Sequence, residues 1–176
     1  MEIVRIFGSC LFSFKFGKVN EHQRLFNCWN DPEFLEDFFE RNKDDLKNPL
    51  WNNITPDDAV LKTIQDANSL ESRLKQIAKN KRKHRELETL FRPLNDTQTG
   101  IVQFRKSKTR QNWLRLYALR IEKNTYVITG GAIKLTRYMQ DRNHTTQELS
   151  KLDRCRNFLI SENLSDTEGI IEAFEL

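Results

Sequence analysis

The chain has 176 residues, 38% of them hydrophobic, 31% charged and 10% aromatic, a composition that supports one folded core and argues against a disordered chain. The apolar runs span only a few residues, too few for a transmembrane helix, and the first of them is broken by Arg5 and Gly8, unlike a signal peptide. Three cysteines, Cys10, Cys28 and Cys155, are odd in number and widely spaced, so a disulfide framework is not expected, Cys28 and Cys155 read as core residues, and the protein is expected to be soluble and cytoplasmic.

The net charge of +4 conceals a segregation. Asp and Glu outnumber Lys and Arg by 13 to 10 over residues 1–78. The balance reverses to 6 basic against 3 acidic over 79–100, and to 13 against 4 over 101–160. Residues 161–176 then carry five acids and no base, an acidic tail. A basic middle between acidic ends points toward a polyanionic partner.

In chain order, residues 1–7 and 11–16 predict a hairpin joined at Gly8-Ser9. Asp31-Pro32 opens a helix whose Phe34, Leu35, Phe38 and Phe39 form one apolar stripe, and Asn48-Pro49 marks a turn. Thr55 then caps a long helix to about Asn80, with Val60, Ile64, Ala67, Leu70, Leu74 and Ile77 in steps of four and three. The basic run Lys79–Arg85 interrupts it, and Leu87, Leu90 and Phe91 predict a shorter helix stopped by Pro93. A polar loop at 95–100 precedes a change of period.

Residues 101–137 predict an antiparallel meander of three or four strands, with turns at Glu122-Lys123-Asn124 and at Gly130-Gly131 and a last strand over 132–137. Along 113–121, Leu114, Leu116 and Ala118 share one face, yet Leu119 and Ile121 fall on the face of Arg115 and Tyr117, which predicts a bulge or a second packed layer. Thr145-Thr146-Gln147-Glu148 has the form of a capping box, and Leu149, Leu152, Cys155, Phe158 and Leu159 stripe the helix behind it. Helices and strands are segregated along the chain, so the fold class is α+β.

No Gly-rich phosphate loop, metal-ligand spacing or nucleophile elbow is present, so no metal and no cofactor is expected. The chemistry-bearing residues crowd the meander instead. Arg105, Lys106, Lys108 and Arg110 lie within six positions, and a sheet face carrying Arg, Tyr and Lys is a platform for an RNA backbone and its bases. The segment 137–144 then collects polar side chains at the sheet edge, ending in His144 as a candidate general base.

The runs Leu114-Arg115-Leu116-Tyr117-Ala118-Leu119-Arg120-Ile121, Thr125-Tyr126-Val127-Ile128 and Ala132-Ile133-Lys134-Leu135-Thr136-Arg137-Tyr138-Met139-Gln140-Asp141, followed by a Thr-capped helix, resemble the RelE/HigB-type toxins of bacterial toxin–antitoxin modules (the RelE/ParE superfamily). The resemblance spans about residues 100–160. It implies a microbial RNase-like antiparallel sheet packed by two preceding helices and a C-terminal helix. It also implies metal-independent cleavage of messenger RNA on the ribosome, with inhibition of translation, and a cognate antitoxin of helix-turn-helix type. Carried over position by position, it nominates Arg120, Lys134 and Arg137 as cations, with Arg120 and Arg137 on the phosphoryl charge and Lys134 in support, Tyr138 as proton donor or stacking group, and His144 as base; Arg115, on the same strand as Arg120, is a further supporting cation. Lys106, Lys108, Arg110 and Arg142 would hold RNA. Val127 stands where the family often has Arg, and residues 1–54 form an N-terminal hairpin and helix ahead of a toxin-like domain at 55–160. A ParE-like inhibitor of gyrase and a nucleic-acid-binding module without toxicity are the alternative functions.

Overall fold

The computed structural model describes residues 1–93, 103–107, 112–164 and 166–170. Seven strands form one sheet: β1 (Glu2–Phe7), β2 (Leu11–Phe16), β3 (Val19–Asn20), β4 (Phe91–Pro93), β5 (Gln103–Ser107), β6 (Leu114–Glu122) and β7 (Thr125–Ile133), in spatial order β1-β2-β7-β6-β5-β4 with β3 on β2. The helices are α1 (Glu21–Trp29), α2 (Pro32–Arg41), α3 (Lys43–Leu46), α4 (Pro56–Lys79), α5 (Glu86–Leu90) and α6 (Asn143–Ser161). Among the described residues no helix is long and apolar enough to cross a membrane.

The α+β class and the antiparallel meander stand, but the sheet is mixed, because β2 runs parallel to β7 through Leu11↔Tyr126, Phe12↔Val127 and Ser13↔Ile128. Residues 1–54 are therefore continuous with the sheet. Leu11, Leu25, Trp29, Leu35 and Phe39 share one core with Leu74, Leu116 and Ile128 from beyond residue 54.

The pattern on β6 is resolved by a second layer. Leu114, Leu116 and Ala118 face the core built with α1, α2, α4 and α5. Tyr117, Leu119 and Ile121 face a second core with Phe12, Phe14 and the α6 residues Leu152, Cys155 and Leu159. Both faces of the sheet are covered, so β7 is buried along all nine residues, as expected of a strand with neighbours above and below.

A bulge is present as well, on the neighbouring strand. Tyr117 pairs with Gly130 and Ala118 with Ile128, leaving Thr129 as an extra residue. That one residue reverses the alternation, so Gly130 and Ala132 face α6 while Gly131 and Ile133 face α1. The two glycines are thus not a hairpin turn. A Cβ on Gly130 would lie 2.0 Å from Glu148 Oε2, and one on Gly131 would lie 2.6 Å from the backbone oxygen of Arg115. Close approach, not a turn conformation, accounts for both: the Arg115 backbone excludes a side chain at Gly131, and the ends of Glu148 and Lys151 occupy the space at Gly130. The strand ends at Ile133, so most of the strand predicted over 132–137 is instead an irregular link to α6. The predicted turn before β7 does form, with Asn124 at φ +62°.

Helix starts follow their caps. Asp31 accepts from Glu33 N and Phe34 N, and Thr55 accepts from Asp58 N, each ahead of a proline in the first turn. The helix predicted after the basic run is only five residues long, since Phe91 turns into β4. At α6 the expectation fails, because the helix starts at Asn143. Thr145 is inside its first turn, buried, with its hydroxyl donating to Arg142 O, and so is no N-cap.

The packing of α4 against β6 hinges on one buried polar contact. Trp113 Nε1 donates to Thr63 Oγ1 at 2.9 Å, and Thr63 in turn donates to Ala59 O at 2.7 Å. Thr63→Val keeps the volume but orphans the indole N–H, and should lower unfolding free energy by about 1–3 kcal/mol in urea titrations. At the other end, His22 lies between Phe7 and Phe26, and burial pushes its imidazole down to about 4, with Glu71 at 3.5 Å opposing the shift. The unfolded chain binds this proton from about pH 6.5 downward and the folded one does not, so stability should fall from there toward pH 4. His22→Phe should flatten that slope in melts recorded across the same range.

Candidate active site

A cleft of about 540 Å³ opens where β7 ends. Its floor is Gly131, Ala132 and Ile133, one wall is His144, Gln147 and Glu148 of α6, and the other is Arg24, Leu25, Cys28 and Trp29 of α1 with Phe34, Phe38 and Arg41 of α2. Gly131 leaves the floor without a side chain, and the spacing of His144, Gln147 and Glu148 places all three on one side of α6.

His144 is held on two sides. Its Nε2 lies 2.9 Å from Ile133 O, and its ring meets Phe38 edge-on at 5.4 Å between centroids. A carbonyl oxygen only accepts, so Nε2 carries the hydrogen, and Nδ1 is the nitrogen of the neutral ring that can take a proton.

Behind His144 runs a chain of buried charges from α1 to α6. Arg24 binds Glu21 through two hydrogen bonds of 2.9 and 2.7 Å, and Lys151 Nζ reaches Glu21 at 2.7 Å and Glu148 at 2.8 Å. Burial alone would raise the Glu21 carboxyl, but its bonds from Arg24 and Lys151 bring it below the ordinary carboxylate value. Glu148 is raised, because burial outweighs the attraction of Lys151, and its buried Oε2 has no hydrogen-bond partner. These ion pairs join the two walls. Lys151→Met leaves the buried Glu148 without its hydrogen-bonded cation and takes one of two from Glu21, and should cost about 3–5 kcal/mol in a denaturant melt.

Among the residues nominated from sequence, His144 lines this cleft, and Arg115, Arg120, Lys134, Arg137, Tyr138 and Arg142 do not. Arg120 lies opposite Tyr126, roughly 20 Å along the strand from Ile133 at about 3.3 Å per residue, and both oxygens of Glu88 accept from its Nε at 2.9 and 3.0 Å. Arg115 is half-buried, donating to Asn112 O and Leu114 O at 2.6 and 2.8 Å. Lys134 Nζ bonds the backbone oxygens of Thr136 and Arg137, and Arg142 forms a two-pronged pair with Asp45. Arg137 and Tyr138 are exposed, with the guanidinium over the phenol ring at 5.4 Å. Lys106 is on β5, paired with Arg92 and Tyr117, while Lys108 and Arg110, like the polar loop and the end of the acidic tail, lie outside the described residues. Along β6 and β7 the face expected to be open and basic is covered by α6.

Several lining residues escaped the sequence reading. Arg24, Leu25 and Trp29 sit on α1, a helix legible in hindsight from His22, Leu25, Phe26 and Trp29 behind Asn20, whose side chain accepts from Gln23 N. Gln147 and Glu148 were assigned to a cap, and Cys28 borders the cleft instead of filling the core. A scan of protein-family models, a search of curated proteins and a search of solved structures each return no match for the chain.

Proposed function

We propose that the protein is a metal-independent endoribonuclease, the toxin of a toxin–antitoxin pair, and that the cleft between α1, α2 and α6 is its active site. The observation that carries this reading is His144, fixed through Nε2 with Nδ1 as its proton acceptor, on the wall of a cleft lined by two arginines and aromatic rings. In this mechanism Nδ1 takes the proton of a ribose 2′-hydroxyl as its oxygen attacks the adjacent phosphorus, so the nucleophile belongs to the substrate. Charge then builds on the phosphoryl oxygens. The roles first given to Arg115 and Arg120 pass to Arg24 and Arg41, which line the cleft and keep 40% and 68% of their side chains exposed although each is ion-paired, Arg24 with Glu21 and Arg41 with Asp37. Arg137 and Tyr138, on the exposed link, meet the RNA outside the cleft.

The order of elements also supports the reading. Two helices, a meander and a C-terminal helix is the order that the RelE/HigB resemblance implies, and α4, α5, the meander and α6 follow it, with the three strands and three helices of residues 1–54 ahead of them. The messenger RNA on the ribosome is the substrate, and a helix-turn-helix antitoxin is the partner. The second reading, a non-catalytic relative such as a ParE-like gyrase inhibitor, is favoured by one observation: Arg115, Arg120, Lys134 and Arg142 all spend donors inside the protein.

The test is incubation of purified protein with ribosomes and messenger RNA in EDTA, with products mapped by primer extension. His144→Gln retains a donor toward Ile133 O but not the base, and should slow cleavage by about 10²–10⁴-fold with RNA affinity unchanged. Wild-type protein that arrests growth without cleaving RNA, and that blocks gyrase supercoiling, would move the assignment to the second reading.

A further inference from the structure

The wall opposite His144 comes from residues 21–42, well outside the span of the family resemblance, and its chemistry differs from that of the rest of the cleft. Phe34 sits in the first turn of α2 because Asp31 caps the helix and Pro32 starts it. Phe38 follows one turn later on the same face, its ring nearly parallel to that of Phe34 at 21° and 6.5 Å between centroids. Phe38 then meets His144 edge-on. Phe38 thus stands in ring contact with both Phe34 and the candidate base.

The Phe34 ring is the unusual one. Of the other apolar residues of the α2 stripe, Leu35 and Phe39 are completely buried and Phe38 is half-buried, whereas Phe34 remains 39% exposed. An exposed Phe ring has a hydration cost that packing of α2 does not require, since Leu35 and Phe39 already anchor the helix. The same cleft is lined by Arg41, whose guanidinium pairs with Asp37, by Asn42, whose amide nitrogen donates to Phe38 O and leaves its oxygen as acceptor, and by Gln147, groups able to meet a phosphate and the polar edge of a planar ligand. A flat π-face with a cation and amides is the combination that single-stranded nucleic acid uses for base stacking.

We propose that Phe34 is the stacking residue for an unpaired base next to the scissile linkage, with Arg41 contacting that nucleotide's phosphate. This rests on the ribonuclease reading and assigns it a subsite. Residues 21–42 thereby select single-stranded substrate: a base held in a duplex cannot leave its own stack to lie on Phe34.

The probe is a six-nucleotide single-stranded RNA with 2′-O-methyl groups throughout, which binds but lacks the nucleophile, together with the same hexamer annealed to its complement. Binding is read by fluorescence anisotropy, and cleavage is read separately with unmodified RNA. Phe34→Leu keeps an apolar side chain of similar burial and removes the ring, so it should weaken the single-stranded hexamer roughly tenfold to a hundredfold, while Phe34→Trp retains or strengthens binding. The duplex should bind poorly to all three proteins. Arg41→Gln should weaken binding and flatten its salt dependence. Equal affinity of Phe34→Leu and wild type for the hexamer, with cleavage by wild type intact, would overturn the subsite and leave the ribonuclease reading standing. Failure of wild type both to bind the hexamer and to cleave RNA would overturn both.

Discussion

The structure depends on β7 being enclosed on both faces. A nine-residue strand with no solvent-facing position has to satisfy two cores at once, and the two cores make different demands. The bulge at Thr129 reconciles them. Before it, Tyr126 and Ile128 pack toward the α1–α4 side and Val127 toward α6; after it, odd-numbered residues take the α1–α4 side. Without that single extra residue Ile133 would point at α6, and the carbonyl that holds His144 would be turned with it.

Beyond Ser13↔Ile128 the parallel strands β2 and β7 no longer pair. The space beside Gly130 and Gly131 admits the α6 side chains Glu148 and Lys151 on one face and the α1 side chains Leu25 and Trp29 on the other. Lys151 then bonds Glu21, so helices from opposite faces of the sheet are tied by charge as well as by apolar contact. Buried ion pairs contribute little net stability, but breaking one is costly, and this asymmetry favours a fixed geometry over a merely strong one. The cleft lies directly against that fixed point. Its walls come from segments more than 100 residues apart in sequence, α1–α2 and α6, held at a set separation.

The N-terminal segment acquires its meaning in the same way. Considered from the sequence alone, 1–54 is an acidic addition to a basic domain. In the fold, β2 completes the sheet, α1 and α2 cover one face, and Arg24, Phe34, Phe38 and Arg41 form half of the candidate site. The basic meander, conversely, spends much of its charge on structure, with Arg120 on Glu88 and Arg115 on backbone carbonyls.

The sequence by itself determined what local rules determine. The α+β class, the N-terminal hairpin, the Asp31 and Thr55 caps, the seam of the long helix and the turn before Thr125 follow from periodicity and short-range hydrogen bonding, whereas the candidacy of His144 rests on its place in the link after the meander and on the family resemblance. The second layer announced itself in Leu119 and Ile121. Tertiary structure decided the rest. Gly-Gly is equally suited to a turn and to close packing, and only the approach of Glu148 and of the Arg115 backbone selects the latter. An arginine looks the same in sequence whether it faces phosphate or Glu88, because an ion pair across 32 positions leaves no periodic trace. The parallel pairing of β2 with β7 and the meeting of α2 with α6 are likewise contacts between distant segments, set by how two cores fill space and invisible to any window along the chain.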